Sequence, residues 1–153
     1  LCVNPPDCLI ADDTYNSLYS ALKECIISSR IDILLFDTVD SDSYNQLLDA
    51  VNVCLGKIAE SRIVVTLPDG TVVIDTYYDT NNTYTNFMGK NINENHNSRV
   101  AFINTQQCED GVGYERKLSS TTQQIEKYVA IRLGEYLNSF GSVRMSVPDE
   151  IVV

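Results

Sequence analysis

The sequence predicts an α+β fold, with helices in the first sixty residues and an antiparallel sheet in the remainder. Two features of the chain indicate this class. Apolar residues before residue 61 recur at three- and four-residue spacing, whereas later ones form short β-branched or alternating runs. Predicted helices and strands therefore occupy separate parts of the chain and do not alternate. We expect residues 1–60 to form a helical segment and residues 61–153 a sheet domain, as one compact domain overall.

The N-terminal part predicts two helices. Residues 1–11 contain Pro5-Pro6 and no periodicity, so we expect an extended lead-in. A helical stripe from Tyr15 to Ile26 follows a good N-cap within Asp12-Asp13-Thr14, and a second stripe runs from Leu47 to Ile58 and predicts a helix that ends near residue 61. The short apolar run 31–36 fits either a strand or a helix.

The sheet part begins with a hairpin over residues 62–78. Two β-branched runs, 63–66 and 71–76, flank the sequence Leu67-Pro68-Asp69-Gly70. Proline presets φ at the second turn position, and glycine accepts the positive φ that follows. We expect this hairpin at the centre of one antiparallel sheet.

The rest of the chain predicts three further strands. After a polar loop over residues 79–97, residues 98–106 predict a short helix. Residues 111–120, 127–133 and 141–147 then read as strands, which gives five strands in total. A loop as long as 79–97 is usually either functional or disordered.

Composition limits the classes of partner. The 153 residues include 44% apolar and 21% charged residues, which fits a globular domain with a real core. A net charge of −10 disfavours nucleic acid and anionic membrane surfaces, since both repel it. No run of about 18 to 20 apolar residues is present. Because the chain starts at Leu1, we expect a processed or excised piece, with any membrane contact through a segment outside it.

Five cysteines without a Cys-x-x-Cys pair disfavour zinc, and we expect no metal site. In a reducing compartment all five would be small core residues, whereas an oxidising one would allow disulfides and leave one thiol over. We favour the oxidising compartment, with Cys2–Cys8 or Cys25–Cys54 as candidate pairs; Cys108 is the fifth cysteine. A glycosylation sequon at Asn81-Asn82-Thr83 agrees with that choice.

An ordered series of motifs over about residues 61–148 resembles the extracellular PAS-like or single Cache sensor domains of membrane receptors such as sensor histidine kinases. The series consists of the Pro-Asp-Gly hairpin ending in Asp75, Gly89-Lys90-Asn91-Ile92, Asn95-His96-Asn97-Ser98-Arg99, Gly111-Val112-Gly113 leading to Arg116, Ser119-Ser120-Thr121, Tyr128-Val129-Ala130, and Val143-Arg144-Met145-Ser146-Val147-Pro148.

The resemblance implies a PAS-like, five-stranded antiparallel sheet with N-terminal helices on one side. It also implies a small-molecule pocket between the sheet and the segment after the hairpin, and it allows a homodimer through the N-terminal helix. The implied location is the extracellular or periplasmic side of a membrane, or another secreted or surface-exposed setting. This chain departs from the family in its two N-terminal helices, in the four cysteines of that part, and in Val100, which stands where a proline is common.

The resemblance places Arg99, Tyr114, Arg116 and Tyr128 around the pocket, and His96 joins them as a candidate ligand-binding residue. Arginine can bind a carboxylate through two parallel hydrogen bonds, and tyrosine offers contact area and one hydroxyl. The alternative for Arg116 is a solvent-facing strand position, because strand residues alternate between two faces.

Other sites have weaker support. Gly111-Val112-Gly113 lacks the helix and the lysine-serine ending of a phosphate loop, and the aspartates at 37, 40 and 42 lack the pattern of a calcium loop. We therefore expect a non-enzymatic sensor domain without a cofactor. The alternative is a ligand-free structural or protein-interaction module with a PAS-like fold on a cell or virus-particle surface. A third hypothesis is a hydrolase that uses His96 with Cys108 or Ser98, and the 79–97 loop as a lid.

Overall fold

The computed structural model describes residues 2–3, 12–77, 95–120 and 122–149. Within them lie four α-helices, α1 (Asp13–Ser29), α2 (Ile31–Phe36), α3 (Ser41–Leu55) and α4 (Val100–Gln107). The strands are β1 (Arg62–Thr66), β2 (Val72–Asp75), β3 (Val112–Leu118), β4 (Ile125–Glu135) and β5 (Asn138–Pro148). The predicted 79–97 loop and the 81–83 sequon lie outside these ranges except for residues 95–97, as does the lead-in except for residues 2–3.

The five strands form one antiparallel sheet in the order β2-β1-β5-β4-β3. The expected α+β class, with N-terminal helices on one side of a five-stranded antiparallel sheet, is confirmed. The expectation that the hairpin is central is wrong, because β2 pairs only with β1 among the described strands, and β5 occupies the centre. A turn signal specifies which two strands pair locally, whereas the neighbour on the other side comes from a distant part of the chain.

Helices α1 and α3 begin where side chains satisfy their first N–H groups. Asp12 accepts a hydrogen bond from the Thr14 backbone N–H (2.8 Å) at the start of α1, and Asp40 with Ser43 forms a capping box on α3. The ambiguous run 31–36 is a helix. The predicted end of α3 near residue 61 is wrong, since the helix stops at Leu55. Ile58 lies beyond the end of the helix and still packs against the core. The apolar periodicity therefore continues past the last helical residue.

Two faces of the sheet differ in character. The helix face carries apolar side chains such as Ile63, Val129 and Met145, which are buried together with the apolar stripes of α1, α2 and α3. The opposite face, which we call the polar face, carries the cross-strand row of Asp75, Val64, Arg144, Ala130 and Gly113, flanked by rows containing serine, threonine, arginine and tyrosine.

Helix α4 covers the polar face. It approaches so closely that a Cβ on Gly113 would lie 2.1 Å from the Ala101 carbonyl oxygen. Only glycine therefore permits this contact between β3 and α4. Among the described residues, no helix combines the length and the apolar character needed to cross a bilayer.

Two disulfides link distant elements. Cys25–Cys54 joins α1 to α3, and it is one of the candidate pairs from the sequence. The Cys2–Cys8 pair is wrong, because Cys2 is bonded to Cys108 at the end of α4; Cys8 lies outside the described residues. The Val3 N–H also donates to the Asn104 side chain (2.9 Å). A span of 106 residues between two cysteines leaves no local signal in the sequence.

Candidate functional site

The predicted site residues do not face one pocket. Tyr128 in β4 pairs with Glu115 in β3, so Tyr128 and Glu115 share the polar face, whereas Tyr114 and Arg116 point to the helix face. The Tyr114 ring meets the Tyr15 ring edge-on, with 6.0 Å between centroids. The predicted arrangement of Tyr114 and Arg116 beside Tyr128 is therefore wrong.

Arg116 belongs to an ion cluster on the helix face. Its Nε atom donates to the carboxylate of Asp149, immediately after β5. Lys127 donates to Asp12 (2.8 Å) and lies 3.7 Å from Asp149. The hydrogen bond from Lys127 lowers the pKa of Asp12 below its usual value of 3.8. This cluster connects the N-cap of α1 with the end of β5.

His96 connects the hairpin turn with α4. Its backbone N–H donates to the Gly70 carbonyl (2.8 Å), and its own carbonyl accepts from the Arg99 N–H (2.9 Å). The residue is buried. Arg99 is the half-buried N-cap residue of α4. The positive charge of Arg99 lowers the pKa of Arg144.

Arg144 lies at the middle of the polar face, on the central strand, and was not among the predicted site residues. Only 4% of it is exposed. Its guanidinium lies over the Tyr128 ring, 4.5 Å from the centroid. Nε and Nη2 are buried and have no hydrogen-bond partner among the described residues. These two N–H groups lie on one edge of the guanidinium plane, the edge that binds planar oxyanions through two parallel hydrogen bonds.

The electrostatic environment of Arg144 differs from that of the neighbouring Arg62. Burial lowers the pKa of Arg144 to about 10, and the nearby charges of Arg99 and Arg62 act in the same direction. Arg144 therefore stays cationic at neutral pH. Arg62, also buried, is neutralised by Asp75, which accepts from its Nε at 2.9 Å and its Nη2 at 2.5 Å. The two side chains provide a matched pair of buried arginines, one with a carboxylate partner and one without such a partner among the described residues.

The other carboxylates of the polar face already have partners. Glu115 accepts from the Ala101 N–H (3.2 Å) and lies 3.4 Å from the Lys117 ammonium. Glu126 accepts a hydrogen bond from the Thr122 hydroxyl. Both oxygens of Asp75 accept from Arg62, and one also accepts from the Tyr77 N–H.

A cavity of about 330 Å³ opens beside this face, lined in part by Arg62, Tyr77 and Glu126. Arg62 pairs with Ser146, which lies two residues, or about 7 Å of strand, along β5 from Arg144. The volume of the cavity is in the range of small-molecule pockets. No group of three or more His, Cys, Asp or Glu side chains is placed to hold a metal within the described ranges.

Cys108 does not offer a nucleophile to the hydrolase hypothesis, because its sulfur is in the disulfide with Cys2. The strand alternation of residues 141–147 contains the signal that identifies Arg144. Val143, Met145 and Val147 mark the core side, which places Arg144 between Ser142 and Ser146 on the other side.

Comparisons with known proteins add a likeness to solved structures. No family model matches the chain, and no curated protein matches it. Among solved structures, the ligand-binding domain of the Campylobacter jejuni chemoreceptor Tlp3 in complex with L-valine is similar at 11% identity and a TM-score of 0.48. The likeness covers 89% of this chain and 60% of that one, so the chain spans less than two thirds of that domain. The function of this chain is therefore inferred from its own geometry.

Proposed function

We propose that this chain is a non-enzymatic, sensor-type domain that binds a small anionic molecule on the polar face of its sheet. The observation that carries the proposal is Arg144. It is a buried cation whose Nε and Nη2 have no hydrogen-bond partner among the described residues. Leaving charged donors unsatisfied in the interior costs more than about 1 to 3 kcal/mol per group, and an oxyanion ligand removes that cost.

The chemical class follows from the donor geometry. Two parallel N–H groups match the two oxygens of a carboxylate, or two oxygens of a phosphate or sulfate. The ligand is small, because Arg144 is covered on all sides and a side chain of a macromolecular partner would have to enter the interior to reach it. The Tyr128 ring forms one wall of the site, and Arg99 and Arg62 add positive potential.

The setting that we propose is the ectodomain of a membrane receptor, on the extracellular or periplasmic side. Two disulfides support an oxidising compartment. Contact with the membrane would use a segment outside this chain. A homodimer through α1 remains a prediction, and sedimentation of the purified chain tests it.

A thermal-shift screen tests the proposal. The chain is unfolded and refolded to remove bound molecules, then screened against carboxylates, amino acids, phosphate and sulfate, each beside its neutral amide or ester analogue where one exists. A ligand at about 100 times its Kd adds about 2.7 kcal/mol to the free energy of unfolding. At about 2 to 4 °C per kcal/mol for a chain of this size, the midpoint rises by roughly 5 to 11 °C.

Matched variants locate the site. Arg144→Met should abolish the shift, because it removes both donors and keeps much of the side-chain volume. Arg116→Gln, on the helix face, should retain it. If Arg116→Gln abolishes the shift and Arg144→Met does not, the ligand lies on the helix face. If nothing shifts the wild type, and native mass spectrometry before refolding finds no co-purified molecule, the ligand-free interaction module becomes the better account.

A further inference from the structure

A two-stranded ribbon extends beyond the rest of the sheet. The last pair between β1 and β5 is Thr66 with Ser142, and the last pair between β3 and β4 is Val112 with Ile131. Beyond these rows β4 and β5 pair with each other as far as Glu135 with Asn138, and no other described strand pairs with them there. The ribbon therefore comprises residues 132–141, with α2 packed against the two strands that form it.

The ribbon and the end of α2 expose a group of large apolar side chains. Leu137 at the ribbon tip is 83% exposed, and Phe36 at the end of α2 is 63% exposed. The Phe36 ring lies 4.6 Å from that of Phe140, measured between centroids. Val39, just after α2, and Tyr136, beside Leu137 in the turn, are also exposed. We call these five residues, on the ribbon and at the end of α2, the ribbon surface. Exposed apolar side chains of this size that lie on neighbouring elements mark interaction sites more often than scattered single ones do.

The backbone conformation at the ribbon tip also supports an interaction site there. Leu137 adopts a φ of 65° in the turn between β4 and β5. Glycine or asparagine is favoured at such a position, because a Cβ atom there lies close to a backbone carbonyl oxygen and causes steric strain. Leu137 is therefore both strained and largely exposed to solvent. Contact with a partner would bury this side chain.

Four carboxylates lie beside residues of the ribbon surface, either in one cavity or next to them in the sequence. Asp32 and Glu135 line one open cavity together with Phe140. Asp37 follows Phe36 directly, and Asp40 follows Val39. The ribbon's own cation, Arg132, is engaged within the domain: it donates to four backbone carbonyls, those of Thr105, Cys108, Glu109 and Gly134.

We infer that the ribbon surface docks a basic, amphipathic segment of a partner protein. Apolar side chains of the partner would cover Phe36 and Leu137, and its lysines or arginines would meet the neighbouring carboxylates. A second copy of this chain is disfavoured, because two sets of these carboxylates and two net charges of −10 would face each other. An anionic lipid surface is disfavoured for the same reason. This inference goes beyond the proposed ligand site and stands without it.

A peptide probe tests the inference on the whole chain. The probe is a fluorescent helical peptide with leucines on one face and lysines on the other, and the control peptide carries glutamates in place of the lysines. Fluorescence anisotropy should show saturable binding of the lysine peptide only, weakened by added salt. Leu137→Asn should weaken binding by about tenfold or more, as expected for a central apolar contact. Asparagine tolerates the positive φ, so this variant should also fold.

Two further variants separate the electrostatic contribution to peptide binding from the apolar one. Glu135→Gln should weaken binding and reduce its salt dependence, although it removes no apolar contact. Val53→Ser is the matched control, since Val53 is 58% exposed but lies on α3 outside the ribbon surface. The Val53→Ser variant should bind the lysine peptide with the same affinity as the wild type.

Three outcomes overturn the inference. The first is equal binding of the lysine and glutamate peptides, or equal loss with Val53→Ser, which indicates non-specific adsorption. The second is a dimer in sedimentation that Leu137→Asn converts to a monomer, which identifies a second copy as the occupant. The third is absence of saturable binding of the lysine peptide; if phosphatidylcholine vesicles then bind in a Leu137-dependent way, the occupant is a lipid surface.

Discussion

Replacing Arg144 with methionine should stabilise the ligand-free domain while removing its ligand site. The guanidinium is buried, and its Nε and Nη2 have no hydrogen-bond partner among the described residues. Methionine keeps an unbranched apolar side chain of similar length, so packing changes little. A substitution in a folded core that raises stability and abolishes function together is the signature of a site built for a ligand.

The expected magnitude follows from the burial of one charged group, considered in two ways. Burial lowers the pKa of Arg144 to about 10, which corresponds to about 3 kcal/mol of penalty on the cation. Two unsatisfied charged donors give a penalty of roughly 2 to 6 kcal/mol, offset by about 2 kcal/mol for the contact with the Tyr128 ring. Methionine should therefore stabilise the domain by about 1 to 3 kcal/mol, a rise in midpoint of roughly 2 to 12 °C.

The assay is thermal and denaturant unfolding of protein that has been refolded free of bound molecules. Arg62→Met is the control, because Arg62 is equally buried but paired with Asp75. This substitution leaves the buried Asp75 carboxylate without its arginine partner and should lower the free energy of unfolding by about 3 to 5 kcal/mol. The two substitutions should therefore change the free energy of unfolding in opposite directions. Destabilisation by both, to a similar degree, would show that Arg144 has an internal structural partner and would refute the reasoning.

Three other predictions concern the stability of the fold. Lys127 lowers the folded-state pKa of Asp12, so this contribution is present above the unfolded pKa of 3.8 and is lost as the pH falls through the lower folded value. Between about pH 5 and 2, the midpoint of the wild type should fall further than that of Asp12→Asn, and parallel curves would contradict this. Replacing Cys2 and Cys108 by serine should cost about 4 to 5 kcal/mol in denaturant unfolding, and replacing Cys25 and Cys54 about 3.5 kcal/mol, because the first bridge spans 106 residues and the second 29. The reverse order would show that chain entropy does not dominate. Gly113→Ala should destabilise by about 1 to 3 kcal/mol or more and abolish ligand-dependent shifts, since its Cβ would meet the Ala101 carbonyl; an unchanged midpoint would mean that α4 adjusts freely.

Local structure in this chain was predictable because its signals are local. The N-cap at Asp12, the stripe of α1 and the Pro-Asp-Gly turn all act over a few residues. The end of α3 was not predictable from the sequence, because apolar residues beyond the helix also contact the core. The position of the hairpin at one end of the sheet depends on β5, about eighty residues later, and no feature of residues 62–78 encodes that pairing.

The candidate site was missed for a different reason. Alternation assigns Arg144 to the face opposite Val143 and Met145, but it does not tell whether that face meets solvent or another part of the chain. Here α4 lies over it, held by the close contact at Gly113. A polar strand face therefore resembles a solvated surface in sequence although it is interior in the fold. Tyr114 and Arg116 were misplaced because their phase relative to Tyr128 depends on the register of two strands.

The bridge between Cys2 and Cys108 has a consequence for limited proteolysis. It closes a covalent ring that contains helices α1, α2 and α3, the hairpin and α4. A protease that cuts one peptide bond inside this ring opens it without releasing a fragment, so the nicked protein keeps its full mass until a reductant is added. Digests run without reductant would then report an intact chain, and only comparison with reduced samples would reveal where the backbone is cut.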